Sequence, residues 1–177
     1  MASIGSVIDA MERLTEWLPA HMPASARDPA EVSVVHGDYR LDNLMFHATE
    51  PRAIAVLDWE LSTIGHPLAD FSYHCMSWHI PPRQARGLGG LDLAALGIPD
   101  EKTYVGQYCE RTGRADPQAV MADWTFYLAY NLFRMAGILQ GIAKRVEAGT
   151  ASSAQARQAA SSARPLAEMG WQVARRS

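Results

Sequence analysis

Asp38, Asn43 and Asp58 are the residues of this sequence whose types and spacing could do chemistry together. They lie in Val35-His36-Gly37-Asp38-Tyr39-Arg40-Leu41-Asp42-Asn43-Leu44 and in Val56-Leu57-Asp58-Trp59-Glu60. Two apolar stretches, 43–47 and 53–57, flank the polar connection Ala48-Thr49-Glu50-Pro51-Arg52, which suits a β-hairpin. With that turn, His47 faces Ala53, Met45 faces Ala55, and Asn43 faces Leu57, one step from Asp58. Directly opposed residues lie roughly 5 Å apart. Asn43 and Asp58 therefore emerge together at the open end of the hairpin, beside the loop that carries Asp38. Three hard oxygen donors at one spot favour Mg²⁺ shared with phosphate oxygens over Zn²⁺.

The elements that must position these groups follow from periodicity. Residues 32–36 are a short β-branched run and read as a buried strand, with 37–42 as a loop. Ahead of them, Val7, Ile8, Met11, Leu14 and Leu18 recur at helical spacing over 6–21, Pro19 and Pro23 mark the fraying end, and a polar linker covers 24–31. From Pro67 onward the pattern is helical: 68–79, 101–112, 117–147 and 151–176, the last bent or broken at Pro165. Asp116-Pro117 supplies an N-cap with proline at the first helical position. Pro81-Pro82, Gly87, Gly89-Gly90, Gly97 and Pro99 make 80–100 a loop with one helical turn at most. The expected fold is α+β and predominantly helical, a single domain over 1–177 with a small β-hairpin cluster carrying the loop.

Composition narrows the function classes. With 177 residues, 48% hydrophobic and 20% charged, the chain can bury a real core. A net charge of -3 lacks the basic footprint of a nucleic-acid binder. No apolar run approaches the roughly 20 residues of a membrane span, and Asp9 and Glu12 interrupt anything resembling a signal peptide. Cys75 and Cys109 are far apart with no CxxC, which fits reduced thiols and a cytoplasmic protein. Cys75 and His79 share a helix face, but without a second pair at ligand spacing they read as a buried thiol and a helix-end histidine.

HxDxxxxN followed by a strand-ending Asp resembles the catalytic loop and metal-binding Asp of kinase-like phosphotransferases. The wording HGDYRLDNLMF, DWE and GHPLADF resembles the aminoglycoside phosphotransferase/choline kinase family, and within it the kinase-like domain fused to some acyl-CoA dehydrogenases. The resemblance implies the C-terminal lobe of a protein-kinase-like fold. It implies Asp38 as the group that takes or orients the proton of a small-molecule hydroxyl acceptor, and Asn43 and Asp58 as holders of Mg²⁺ on ATP. It gives Arg40 a phosphate contact, although an ion pair with Asp42 is an equal alternative. His36 and Asp70 resemble positions that brace the loop, and Trp59-Glu60 replaces the Phe-Gly of protein kinases. Relatives line their acceptor pocket from the region of Tyr127, Asn131 and Arg134; an arginine there would tolerate an anionic acceptor such as a hydroxy acid or its thioester. The aromatic series Trp124, Phe126, Tyr127, Tyr130 and Phe133 otherwise reads as core.

A kinase site also needs an N-terminal lobe with a phosphate-covering loop and a lysine. The residues ahead of His36 hold one glycine, Gly5, and no lysine; the only lysines are Lys102 and Lys144. The expectation is therefore a C-terminal lobe without its nucleotide-binding partner lobe, with doubtful ATP binding and little activity alone. Two other readings stand beside it. One is a non-catalytic interaction module whose uncovered cleft face drives self-association. The other is a metallo-phosphoesterase, for which no Asn-His-Glu run follows Asp58.

Overall fold

Ala10, Leu14 and Leu18 fall on one stripe of helix α1 (Asp9–Ala20), and they are buried together with Ile8, the residue that precedes the helix. The computed structural model describes residues 8–82, 87–151 and 153–176; Ser6 and Val7, the expected start of this helix, lie outside them. The other helices are α2 (Pro67–Cys75), α3 (Glu101–Thr112), α4 (Pro117–Ala122), α5 (Trp124–Glu147), α6 (Ala154–Ser161) and α7 (Ala163–Ala174). Helix α5 is the axis of the core, packing on α7, α6, α2 and α1. Gly170 sets how closely α7 approaches: a Cβ there would lie 3.1 Å from Leu132 Cβ and 3.2 Å from Leu14 Cδ1. The absent side chain lets three helices meet over the fully buried Leu14, Leu132 and Leu166.

Two expected helices are divided. The run 117–147 breaks at Asp123, whose carboxylate accepts a 2.6 Å hydrogen bond from the Ser25 hydroxyl instead of facing solvent. Asp116 caps α4 as the sequence suggests, accepting from the Gln118 and Ala119 amides. The run 151–176 breaks at Ser162 rather than Pro165. Pro165 falls in the first turn of α7, where its missing N–H has no intrahelical partner to lose. The expected 68–79 helix ends as α-helix at Cys75 and tightens into a 3₁₀ turn over Met76–Trp78.

The strands form two separate antiparallel ribbons rather than one sheet. Strand β1 (Ser33–Val35) pairs with β4 (Thr63–Gly65), with Val34 opposite Ile64. Strand β2 (Leu44–Phe46) pairs with β3 (Ala53–Val56), with Met45 opposite Ala55 as expected. An irregularity then places Phe46, not His47, opposite Ala53, leaving Ile54 as the extra residue. The expectation of a buried strand over 32–36 is corrected: Val32 and Val34 are exposed, and only Val35 and His36 are buried. Both cysteines are free and buried. Burial pushes the Cys75 thiol well up, and His79 bonds Glu101 at 2.8 Å. Among the described residues no helix is long and apolar enough to cross a membrane.

Candidate active site

The loop after β1 is tied down peptide by peptide. Asp70, in the first turn of α2, accepts the His36 amide at 2.6 Å and the Gly37 amide at 2.9 Å, one on each carboxylate oxygen. His66 begins that helix by accepting the Leu68 amide through Nδ1, with Pro67 at the first helical position. The buried His36 ring accepts the Asp38 amide at Nδ1 (3.2 Å), so its proton sits on Nε2, which donates to the Leu57 carbonyl at 2.7 Å. One neutral imidazole thereby joins the loop to the end of β3. Gly37 has φ +83, and a Cβ would sit 2.4 Å from the Leu61 carbonyl oxygen, so this position requires glycine.

Asn43 is buried at the end of the 3₁₀ turn Leu41–Asn43. Its Nδ2 donates to the Asp38 carbonyl at 2.9 Å and to Asp38 Oδ2 at 3.1 Å. Both amide hydrogens are thus spent on Asp38, which leaves Asn43 Oδ1 as a free acceptor. Arg40 Nε also meets Asp38 Oδ2, at 3.2 Å, while its Nη1 is 3.8 Å from Asp42. Arg40 is about half exposed, so this ion pair is weak and easily exchanged. Neither contact uses Asp38 Oδ1.

Asp58 follows the residue whose amide donates to the Asn43 carbonyl, Leu57, at 2.8 Å. It is the one non-glycine residue with positive φ among those described, at φ 67 and ψ 55. Holding an Asp in the left-handed region costs of order 1 kcal/mol or more and clusters at functional sites. Its carboxylate is exposed and has no hydrogen-bond or ion-pair partner among the described residues. Trp59 folds back on the loop, its ring 4.8 Å from that of His36. Among the described residues no three His, Cys, Asp or Glu side chains converge as a metal cage. The donors on offer are an amide oxygen and carboxylates, which suit a cation that takes its remaining ligands from phosphate and water, as Mg²⁺ does.

The three residues expected near the acceptor behave differently. Tyr127 is buried, stacked on His66, and its hydroxyl meets His66 Nε2 at 3.4 Å. Asn131 is fully buried and donates to the Ala69 carbonyl and the Ser72 hydroxyl, joining α5 to α2. Arg134 donates to the Gly37 carbonyl and lies over the Tyr73 ring, 5.0 Å from its centroid. All three are therefore engaged in holding the fold, and Arg134 alone reaches the loop.

Beside the loop lies a cavity of about 570 Å³, lined by Arg40, Leu41 and Asp42 from the loop, by Tyr73, His74, Met76, Ser77 and Ile80, and by Met135. Tyr73 is the residue that sequence reasoning missed. It sits 35 positions after Asp38 without a motif of its own. Burial, followed by the negative charge of Asp38 and a hydrogen bond from the phenol to that carboxylate, pushes its phenol up to about 12.

Residues 3–104 match the model of a family described as "Phosphotransferase enzyme family". Acyl-CoA dehydrogenase family member 10 of Mus musculus is 44% identical over 171 residues, 96% of this chain and 15% of that protein. Acyl-CoA dehydrogenase family member 11 of Homo sapiens is 39% identical over 170 residues, 96% of this chain and 21% of that protein. The crystal structure of a candidate aminoglycoside phosphotransferase from Ralstonia eutropha superposes with a TM-score of 0.90 at 62% identity, covering 97% of this chain and 50% of that one. The chain thus spans half of that solved relative and a much smaller share of the curated ones. The helical fold with its short ribbons is that of the helical lobe of kinase-like phosphotransferases.

Proposed function

The chain belongs to the phosphotransferase enzyme family, and from that premise we propose that it forms the acceptor-binding and catalytic part of an ATP- and Mg²⁺-dependent small-molecule O-phosphotransferase. The observation that carries this reading is the Asp38–Asn43 pair, with Asn43 spending both amide hydrogens on Asp38 and keeping its own oxygen free. Asp38 Oδ1 takes or orients the proton of the acceptor hydroxyl as that oxygen bonds the terminal phosphorus and ADP leaves. Arg40 exchanges Asp38 for the arriving phosphate, which offsets charge on the transferring group. Asn43 Oδ1 and the Asp58 carboxylate are the oxygens that would hold Mg²⁺. When bound, the cation would neutralise negative charge on the nucleotide phosphates.

The cavity beside Asp38 is the acceptor site in this reading. Its lining mixes polar groups (Arg40, Asp42, Tyr73, Ser77) with apolar ones (Leu41, Met76, Ile80, Met135), which suits a hydroxyl on an aliphatic body. The relatives named as acyl-CoA dehydrogenases support a hydroxy acid or its thioester as the acceptor class.

The ribbons leave Val34, Met45, Phe46, Ile54 and Ile64 exposed. Such a patch supports a cleft whose other wall, the nucleotide-covering lobe, packs here. With this half alone ATP keeps one wall of its site, so turnover by these 177 residues is weak. The same exposed face favours a second reading, a non-catalytic interaction module that self-associates.

The test is ADP formation and ³¹P spectra with Mg²⁺, ATP and a panel of hydroxy acids, their thioesters and aminoglycosides. It is run on the chain alone and on the chain supplied with the other half of the Ralstonia relative. Acceptor-dependent transfer that rises with the added half and falls about 10²–10⁴-fold in Asp38→Ala is expected. Turnover unchanged by Asp38→Ala would overturn the assignment, and a concentration-dependent oligomer with no transfer in either format would favour the interaction module.

A further inference from the structure

We infer that Arg134, seated on the ring of Tyr73, is a positioning residue that locks the Gly37–Asp38 peptide and so aims the Asp38 side chain. The inference rests on Asp38 being the reacting carboxylate.

The peptide joining Gly37 to Asp38 is held at both of its polar ends. Its N–H donates to His36 Nδ1 at 3.2 Å, and its C=O accepts from Arg134 Nη2. The two preceding amides, of His36 and Gly37, are already taken by Asp70. Without the Arg134 bond, the one remaining constraint on this peptide would be a long hydrogen bond, next to a glycine at φ +83 with the widest backbone freedom. A small rotation there would swing the Asp38 carboxylate away from Asn43.

The surroundings of Arg134 fit this role better than an ordinary ion pair. Among the described residues no carboxylate lies within ion-pair distance of its guanidinium. Its charge is met instead by a carbonyl and by the face of Tyr73, which is 7% exposed. A charge-assisted bond to a carbonyl is stronger than a neutral one, and the ring face holds the planar cation in the orientation that bond needs. Tyr73 also borders the cavity lined by Arg40 and Asp42 of the same loop. The pair therefore links α5 and α2 directly to the reacting loop, 97 residues from Arg134 in sequence.

The experiment is residue-resolved amide hydrogen exchange by NMR on the whole chain, with the Leu132 and Leu166 amides as the reference for global unfolding. Relative to that reference, Arg134→Gln speeds exchange at the Asp38 amide about tenfold. Tyr73→Phe, which keeps the ring and removes only the hydroxyl that meets the Asp38 carboxylate, speeds it less than Tyr73→Leu does. The double variant Tyr73→Leu/Arg134→Gln is no faster than Tyr73→Phe/Arg134→Gln, because the ring acts through the arginine. Parent-like exchange at Asp38 in Arg134→Gln overturns the inference, as does equal disruption by Tyr73→Phe and Tyr73→Leu. The measurement needs neither nucleotide nor acceptor, so its failure removes the lock and leaves phosphotransfer standing. Transfer that ignores Asp38→Ala does the reverse.

Discussion

The helical half and the ribbon half of this chain are held by different physics. Helices α1, α5 and α7 close over Leu14, Leu132 and Leu166, each 0% exposed. The ribbons instead present Val34 at 64% and Ile64 at 66% exposure. Yet Asp38, Asn43 and Asp58 all lie in the ribbon half, where Asn43 is buried and Asp58 is exposed. Their order comes from polar ties thrown across from the helices: Asp70 from α2 and Arg134 from α5, with His36 joining the loop to the end of β3. A site anchored by hydrogen bonds leaves the ribbon face free to meet another surface.

That contrast can be broken or sharpened by four perturbations. The largest effect belongs to the helical half: Leu132→Ala should cost about 3 kcal/mol through lost burial and a residual cavity, read as a fall in urea midpoint. Next comes a polar tie. Asp70→Ala leaves the His36 and Gly37 amides without their acceptor, and should cost about 2 kcal/mol. Its more telling signature is faster exchange at those two amides with the α5–α7 amides unmoved.

Acid comes third. Burial lowers the pKa of His74 from its ordinary value of 6.5, so the folded chain prefers the neutral ring. Its contribution is complete above that value, and is lost as pH falls from there through the lower folded value, because the unfolded chain binds the proton more readily. Tm should therefore drop between pH 7 and 5 by less in His74→Phe than in the parent; an equal drop would remove His74 from the account. The smallest effect is on the ribbon: Ile64→Thr should change stability by no more than about 0.5 kcal/mol while reducing any self-association seen by sedimentation. A loss of several kcal/mol there would erase the distinction between the halves.

The chemistry-bearing residues were legible because they are close in sequence. The pairing of Met45 with Ala55, and of Asn43 with Leu57, follows from turn length and strand alternation alone. The irregularity at Ile54 was not legible, since an extra residue leaves no mark in an apolar run. Strand β4 went unseen for a related reason: Thr63-Ile64-Gly65 is three residues long and is defined by a partner 30 positions earlier. Val34 misled because a β-branched run signals a strand without saying which face is covered. Asp123 reads as an ordinary interior residue of a long helix until Ser25 is placed against it. Tyr73 and Arg134 meet the loop through tertiary contacts with residues far along the sequence, Arg134 from 97 positions away, and no local pattern encodes that meeting. Asp70 was legible as a brace through the family resemblance of the GHPLADF string, and it falls in the first turn of α2.

The central claim is that Asn43 and Asp58 grip one divalent cation on a nucleotide beside Asp38. It is tested most directly by adding Mn²⁺ with ATP to isotope-labelled chain and mapping paramagnetic line broadening. The account predicts broadening centred on the Asn43 side-chain amide and the Asp58 backbone, absent in Asp58→Ala. Broadening centred instead on the His47–Glu50 pair of the hairpin turn, with Asn43 sharp, would contradict it.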